Sequence, residues 1–250
     1  KTERICNQTV SEIKQLYEED GEYYVFAYGK ALYVLGEFYL ASQEYERSAE
    51  IFEESFCVIS KGYGNDPDGY RSDYVEGAFK VGSAHCYCGD VATAEKRLLQ
   101  GLEAADEFTE NSEQEQSLKA HIIYSLANVY SDAKDYKRAE MRYLESIDIV
   151  KNLYAEYGAK YAGRFAVNIY FLAETYKKAG DKENATKWLF KAIKILEEEG
   201  GEFYAGKLAI YYSALSEIES DAGDTKNAEE HLNKSKYYAK TVKTAVLGRK

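Results

Sequence analysis

A pattern of small residues that recurs five times along the chain constrains its fold more than any other feature. In each copy a large apolar residue precedes a small one, and two further small residues lie twelve and nineteen positions after the first. All fifteen small positions hold Gly, Ala or Ser, which together make up about a quarter of the chain. The positions are Gly36, Ser48 and Ser55; Gly82, Ala94 and Gly101; Ala127, Ala139 and Ser146; Ala173, Ala185 and Ala192; and Ser216, Ala228 and Ser235.

This spacing predicts pairs of antiparallel helices. Small residues let two helices approach closely, while bulky residues between them fill the grooves. One such bulky residue stands four positions after the second small residue of each copy: Phe52, Leu98, Tyr143, Leu189 and Leu232. A single proline in 250 residues and an apolar fraction of 45% also favour long helices and exclude a disordered chain.

The sequence between the two helices of a copy predicts a specific turn. Four copies read Gly89-Asp90, Lys134-Asp135, Gly180-Asp181 and Gly223-Asp224. Glycine is suited to the left-handed position that ends a helix, and an aspartate can accept hydrogen bonds from the free amides of the next helix. The first copy has Gln43-Glu44 instead. We therefore expect its turn to be weaker.

The pattern resembles the tetratricopeptide repeat (TPR), and the resemblance covers residues 22–245. The usual TPR period is about 34 residues, but here successive copies are 46, 45, 46 and 43 residues apart. The additional residues also repeat, because a tyrosine lies twelve positions before the first small residue in four copies: Tyr24, Tyr70, Tyr161 and Tyr204. The helices are thus predicted to be long, similar to those of kinesin light chains.

The resemblance implies an all-α fold, a right-handed α-α superhelix (TPR solenoid) of antiparallel helix pairs. We predict a single solenoid domain over residues 1–250. Residues 1–20 would form an N-terminal capping helix, since they lack the small-residue pattern but have apolar residues at helical spacing. The predicted repeats span residues 22–62, 68–110, 113–157, 158–200 and 201–245.

Charge limits the partners that the sequence favours. The formal net charge is −11, with 43 acidic against 32 Lys and Arg residues, which argues against binding to a nucleic acid. No window approaches 18 consecutive apolar residues, so no membrane span is predicted. The four cysteines have no regular spacing and are expected to be reduced core thiols of a cytoplasmic protein. Export stays open, because the chain begins at Lys1 without an initiator methionine.

Motifs for catalysis, cofactors or metals are not found in the sequence, so we predict neither an enzyme nor a cofactor. His85 stands where other copies carry a tyrosine and is interpreted as a packing residue. The stretch 65–76 resembles a calcium loop, but Gly64 and Val75 stand where carboxylates are needed. We interpret this stretch as a polar turn between repeats that Pro67 stiffens.

The resemblance also implies where a ligand would bind. In a TPR solenoid the first helix of each repeat lines a concave wall, with its second, fifth, ninth and twelfth positions pointing inward. The fifth positions here form an aromatic stripe, and amides and charged groups accompany it. The predicted residues of this aromatic-lined groove are Tyr33, Glu37, Phe79, His121, Tyr124, Asn128, Tyr170, Glu174 and Lys177.

Rings with hydroxyl groups, together with amides and carboxylates, suit the recognition of a peptide. The sequence therefore predicts a non-catalytic module that binds a peptide or protein segment, with Asn128 as the best candidate for a bidentate contact to its backbone. Two lysines, Lys30 and Lys177, face four glutamates among these positions: Glu37, Glu76, Glu174 and Glu217. This excess of negative charge predicts a neutral or basic partner.

An alternative interpretation is an architectural segment of a larger TPR protein. In that case the tyrosines would fill space between repeats, with no dedicated peptide groove. Weak homo-oligomers would follow if a basic tail met an acidic surface. The tail consists of Lys234, Lys236, Lys240, Lys243, Arg249 and Lys250.

Overall fold

A computed structural model of the protein describes residues 2–110 and 112–247, and this part of the chain forms eleven α-helices and no strand. The all-α fold predicted from the sequence is confirmed. The helices are α1 (Thr2–Glu19), α2 (Gly21–Ala41), α3 (Tyr45–Asn65), α4 (Pro67–Tyr87), α5 (Val91–Asp106), α6 (Glu113–Asp132), α7 (Tyr136–Tyr157), α8 (Ala159–Lys178), α9 (Lys182–Glu198), α10 (Ala205–Asp221) and α11 (Thr225–Leu247).

The chain divides into two compact units, residues 1–133 and residues 134–250. Unit 1 contains α1 to α6, and unit 2 contains α7 to α11. The first helix of the predicted repeat 113–157 thus belongs to unit 1 and the second to unit 2. The single domain and its repeat limits stay a prediction. Arg249 and Lys250 of the predicted basic tail lie outside the described residues.

In unit 1 each helix packs on the next one along the chain, from α1 to α6. The core between α2, α3 and α4 contains Phe52, Phe56 and Val81, which are at most 3% exposed. Helix α1, the predicted capping helix, has no fully buried residue. It covers the end of unit 1 with partly buried side chains, among them Tyr17, whose ring stacks on Tyr28 at a centroid distance of 4.9 Å.

Unit 2 is built in the same way, with α8 packed on α7, α9 on α8, and α10 between α9 and α11. Leucines that are fully buried run through it: Leu172, Leu189, Leu196, Leu208 and Leu215. Each helix therefore has one face in the core of its unit, which leaves the opposite face for solvent or a partner.

The small residues of the repeated pattern lie where helices cross. Fourteen of the fifteen are buried, and the remaining one, Ser235, is half-buried. A Cβ atom at Gly36 would lie 2.7 Å from the ring of Phe52, and one at Gly82 would lie 2.5 Å from Cγ of Leu98. These contacts explain why the sequence keeps these positions small.

The five turns between paired helices share one backbone conformation. Each contains a residue with positive φ, between 61° and 85°: Gln43, Gly89, Lys134, Gly180 and Gly223. The aspartate that follows accepts a hydrogen bond from the backbone amide three residues later in all four turns that have one. Glu44 makes no such bond. The predicted role of the Gly-Asp and Lys-Asp pairs is therefore confirmed, and the first turn lacks its cap.

Two interpretations of the sequence were wrong. Pro67 is the first residue of α4, where the missing amide proton of proline costs nothing, and Asp66 caps this helix by accepting from Gly69 N at 3.0 Å. Residues 67–76 are therefore helical and do not form a polar turn. The cysteines are free but are not core residues, because Cys57 and Cys86 are exposed and the other two are only partly buried.

None of the described helices is long and apolar enough to cross a membrane.

Candidate functional site

The predicted ligand-binding residues fall into two groups, one in each unit. Unit 1 carries six of them on the first helices of its pairs: Tyr33, Glu37, Phe79, His121, Tyr124 and Asn128. Unit 2 carries Tyr170, Glu174 and Lys177, all on α8. All nine side chains are partly buried.

In unit 1, ion pairs between α2 and α4 surround the Tyr33 ring. Its hydroxyl donates to Glu76 Oε1 at 2.9 Å. The Lys30 ammonium lies 2.6 Å from Asp73 Oδ1 and 3.4 Å from Glu76 Oε2. Burial and the negative charge of Glu76 raise the pKa of Tyr33 far above its usual value, so the phenol stays protonated. The charged side chains in this part of the face therefore pair with one another.

A second ion pair joins the same helices one turn further along. Lys80 Nζ lies 2.8 Å from Glu37 Oε1 and 5.5 Å from the centroid of the Tyr33 ring. Lys80 and Asp73 were missed by the sequence analysis. The signal was available, because Lys80 lies four residues after Glu76 and Asp73 lies three residues before it. All three residues therefore share one side of α4. With these two residues included, the face has two lysines against three carboxylates.

Helices α4 and α6 continue this face with rings. The rings of Phe79 and His121 stack in parallel, with centroids 5.4 Å apart. On α6 a hydrogen bond joins the Tyr124 hydroxyl and the Asn128 side chain, and burial raises the pKa of Tyr124 to about 12. The Asn128 amide is therefore already engaged, so a bidentate contact to a ligand would have to share or replace this bond.

In unit 2 the predicted residues meet a cavity of about 400 Å³ between α8 and α10. From α8 it is lined by Tyr170, Glu174 and Lys177, and from α10 by residues at the corresponding inward positions: Ile210, Ser213 and Glu217. Ala209, Ala214 and Ser235 complete the lining. The structure thus brings the three predicted residues of unit 2 together around one opening.

The walls of this cavity are held in place by stacking and by one ion pair. The Tyr170 ring stacks on Tyr211 with centroids 4.4 Å apart and nearly parallel planes. Burial, with smaller effects from Glu174 and Glu217, raises the pKa of Tyr170 to about 12. Lys177 Nζ lies 2.6 Å from Glu217 Oε2. These contacts fix the ring and neutralise the carboxylate of Glu217.

Glu174 differs from the other carboxylates of both groups. Within the part of the chain that the structure describes, it makes neither a hydrogen bond nor an ion pair, and its Oε1 atom is buried without a partner. Burial raises its pKa, an effect that the nearby Lys177 opposes. A carboxylate removed from water without compensation is costly, and such costs are often found at functional sites.

A contact between the buried His231 and the partly buried Glu219 lines another cavity of unit 2 and was not predicted. His231 Nδ1 lies 2.7 Å from Glu219 Oε2, and the imidazole stacks on the Tyr212 ring at 5.6 Å. Glu219 occupies the position at which the other repeats have a ring: Tyr39, His85, Tyr130 and Tyr176. That exception was the available signal. We interpret the pair as a polar substitute for the missing ring contact.

Comparison with known proteins agrees with the geometry. A model of the tetratricopeptide repeat matches residues 168–196, which contain the C-terminal half of α8 and most of α9. BtubC (BKLC) from P. vanneervenii is similar in structure, with 19% identity and a TM-score of 0.76 over 96% of this chain and 91% of that one. No curated protein sequence matches the chain.

Two further solved structures share the fold. The TPR-like repeats of a kinesin light chain candidate from Podosopora anserina match with 16% identity and a TM-score of 0.67, over 86% of this chain and 96% of that one. A Rap protein complexed with Competence and Sporulation Factor matches with 13% identity and a TM-score of 0.64. That match covers 93% of this chain but only 58% of the Rap protein.

The fold and the repeated crossings define a protein built from stacked helix pairs. More specifically, residues 168–196 match the tetratricopeptide repeat, and the fold of the described residues is similar to that of BtubC and of the TPR-like repeats of the kinesin light chain candidate.

Proposed function

We propose that the protein binds a peptide segment of another protein, and that the face of α8 and α10 in unit 2 is the principal contact. The observation that carries this proposal is the cavity between these helices. The three residues of α8 were predicted from their positions in the repeat alone, and they line one opening of about 400 Å³. This volume is within the range of ligand pockets.

The lining suits a side chain of a bound segment. Tyr170 offers a rigid ring, and Ile210 is 55% exposed although it is large and apolar. Exposed apolar surface beside a few polar groups is typical of interaction sites. Ser213 and Glu217 add hydrogen-bonding groups at the rim. A peptide would thus gain apolar contact in the cavity and polar contacts around it.

The α2–α4–α6 face of unit 1 is a second contact surface in this proposal. Its ion pairs and the Phe79–His121 stack hold the side chains in fixed positions, which lowers the entropic cost of binding. Lysines are fewer than carboxylates on both faces, which supports a neutral or basic segment. The Rap protein complexed with Competence and Sporulation Factor shows a partner bound to a protein of this fold.

A selection experiment tests the proposal. Randomised nonapeptides displayed on phage would be selected against the whole chain, and the affinities of recovered peptides measured for Ile210→Arg and Met141→Arg. Both residues are 55% exposed and belong to unit 2, but only Ile210 lines the cavity. We expect a loss of at least about tenfold in affinity for Ile210→Arg alone. Equal affinities of the two variants would refute the proposed site.

Self-association is the second candidate, and exposed apolar residues on α11 favour it. Leu232 is 40%, Tyr237 61% and Val242 37% exposed. A second copy could cover this face, with the lysines of α11 against an acidic surface. Light scattering at low and high salt distinguishes the two functions. A monomer at both salt concentrations excludes self-association and leaves peptide binding unaffected.

A further inference from the structure

We propose that the cavity of unit 2 receives a lysine or arginine side chain of the bound segment, with Glu174 as its counter-ion. This inference rests on the proposed function, because it specifies which chemistry the α8–α10 face selects. Three observations carry it: a carboxylate without a hydrogen bond or ion pair among the described residues, the positions of the other charges around the cavity, and a comparison with the equivalent place in unit 1.

Among the charged groups that line the cavity, Glu174 is the carboxylate that is available to a ligand. Lys177 and Glu217 line the same opening, but they bind each other at 2.6 Å. Glu174 makes no hydrogen bond or ion pair with any described residue. Lys177 and Lys178 on α8 and Glu217 on α10 are the charged groups that influence it. Two carboxylates and one lysine line the cavity, so an incoming cation would balance its charge.

Unit 1 shows a cation in the corresponding place. Tyr33 and Glu37 occupy the same repeat positions on α2 as Tyr170 and Glu174 on α8. On the facing helix α4, Lys80 places its ammonium 2.8 Å from Glu37 and 5.5 Å from the Tyr33 ring centroid.

The residue of α10 that corresponds to Lys80 is Ala214, the sixth position of its repeat, and it lines the cavity. By repeat position, the cavity of unit 2 therefore corresponds to the place that the Lys80 side chain occupies in unit 1. A ring and a carboxylate are present in both units, but in unit 2 the facing helix α10 has Ala214 and no cation at this position. A lysine or arginine from a partner would complete the arrangement.

The remaining lining suits the apolar stem of such a side chain. Ala209, Ile210 and Ala214 form an aliphatic wall, against which the methylene groups of a lysine or arginine can pack. An ammonium or guanidinium near Tyr170 would also gain from the ring, as Lys80 does from Tyr33. An acidic or purely apolar side chain would leave Glu174 uncompensated and would bind more weakly.

Peptides of defined charge test the inference. Four pools of acetylated, amidated nonapeptides would carry Lys, Arg, norleucine or Glu at the centre and random neutral residues elsewhere. We expect the Lys and Arg pools to bind the whole chain at least about tenfold more tightly than the norleucine pool, and the Glu pool more weakly still.

Variants assign this preference to Glu174. In Glu174→Gln the ratio between the Lys and norleucine pools should fall to about one. The matched control Glu156→Gln removes the same charge from an exposed residue of unit 2 and should keep the ratio. Ala214→Lys supplies the missing cation from within the chain and should also abolish the preference. Burial raises the pKa of Glu174, so the Lys preference should weaken in the wild type as the pH is lowered and Glu174 becomes protonated, but not in Glu174→Gln.

The outcomes separate the two proposals. If all pools bind equally and Ile210→Arg still abolishes binding, the site exists but the inference is wrong. A Lys preference that survives in Glu174→Gln overturns the inference in the same way. If no pool binds in a manner that depends on Ile210, both the inference and the proposed function fail.

Discussion

At the scale of single residues, two glutamates in the same repeat position have different environments. Glu37 is paired with Lys80, whereas Glu174 lines a cavity together with Ala214 and has no hydrogen-bond or ion-pair partner among the described residues. The sequence predicted both as inward-facing residues but could not predict this difference. Pairing between neighbouring helices depends on which side chains lie opposite each other, and this follows from the packing rather than from the spacing along one helix.

Removal of the Glu174 charge should stabilise the protein. Burial raises the pKa of Glu174 in the folded state, so the unfolded chain loses this proton at a lower pH than the folded protein does. The free energy of unfolding therefore decreases as the pH rises above the pKa of Glu174 in the unfolded chain. We expect Glu174→Gln to melt like the wild type near pH 4 and about 1–3 °C higher at pH 7. Scanning calorimetry at both pH values measures this. A lower melting temperature of Glu174→Gln at pH 7 would show that the carboxylate is stabilising.

At the scale of helices, the sequence predicted most of what the structure shows. The small residues mark the helix crossings, and the Gly-Asp pairs mark the turns, because both depend on local geometry. Pro67 was misplaced because a proline suits either a loop or the first turn of a helix, and only the Asp66 cap distinguishes them. The cysteines were wrongly placed in the core, since residue type alone does not determine burial.

A methyl group at Gly36 should disturb the crossing of α2 and α3. The added Cβ would lie 2.7 Å from the ring of Phe52, which is 1% exposed and cannot move aside. We expect Gly36→Ala to lower the free energy of unfolding by about 1–3 kcal/mol in urea titrations. Gly64→Ala is the control, because no atom lies within 4 Å of its added Cβ. It should be neutral or stabilising by up to about 1 kcal/mol. Equal effects would contradict the packing account.

Glycine should improve the first turn. Gln43 has a φ of 62°, a conformation that costs a residue with a side chain about 1–2 kcal/mol. We expect Gln43→Gly to stabilise the protein by about 0.5–1 kcal/mol after the entropic cost of glycine is included. Gly180→Ala, at a φ of 85°, should be destabilising. Urea titrations of both variants check the signs. Destabilisation by Gln43→Gly would mean that the glutamine side chain contributes more than the backbone conformation costs.

At the scale of the whole molecule, the resemblance to TPR proteins predicted a fold that the structure and the comparisons support. It did not predict that the chain divides into two compact units, because the repeated pattern continues through the boundary near residue 133. Nor did it predict that the two faces differ in charge pairing. This pairing is complete for Glu37 and Glu76 in unit 1 and incomplete for Glu174 in unit 2, and the proposed difference in function rests on it.

The central claim is that the α8–α10 face binds a peptide segment, and mapping of the contact by NMR tests it most directly. The protein, labelled at its methyl groups and aromatic rings, would be titrated with the tightest peptide from the selection. We predict chemical shift changes and intermolecular NOEs at the Tyr170 ring and at the methyl groups of Ile210 and Ala214. Changes confined to residues outside this cavity, with these three signals unmoved at saturation, would contradict the account.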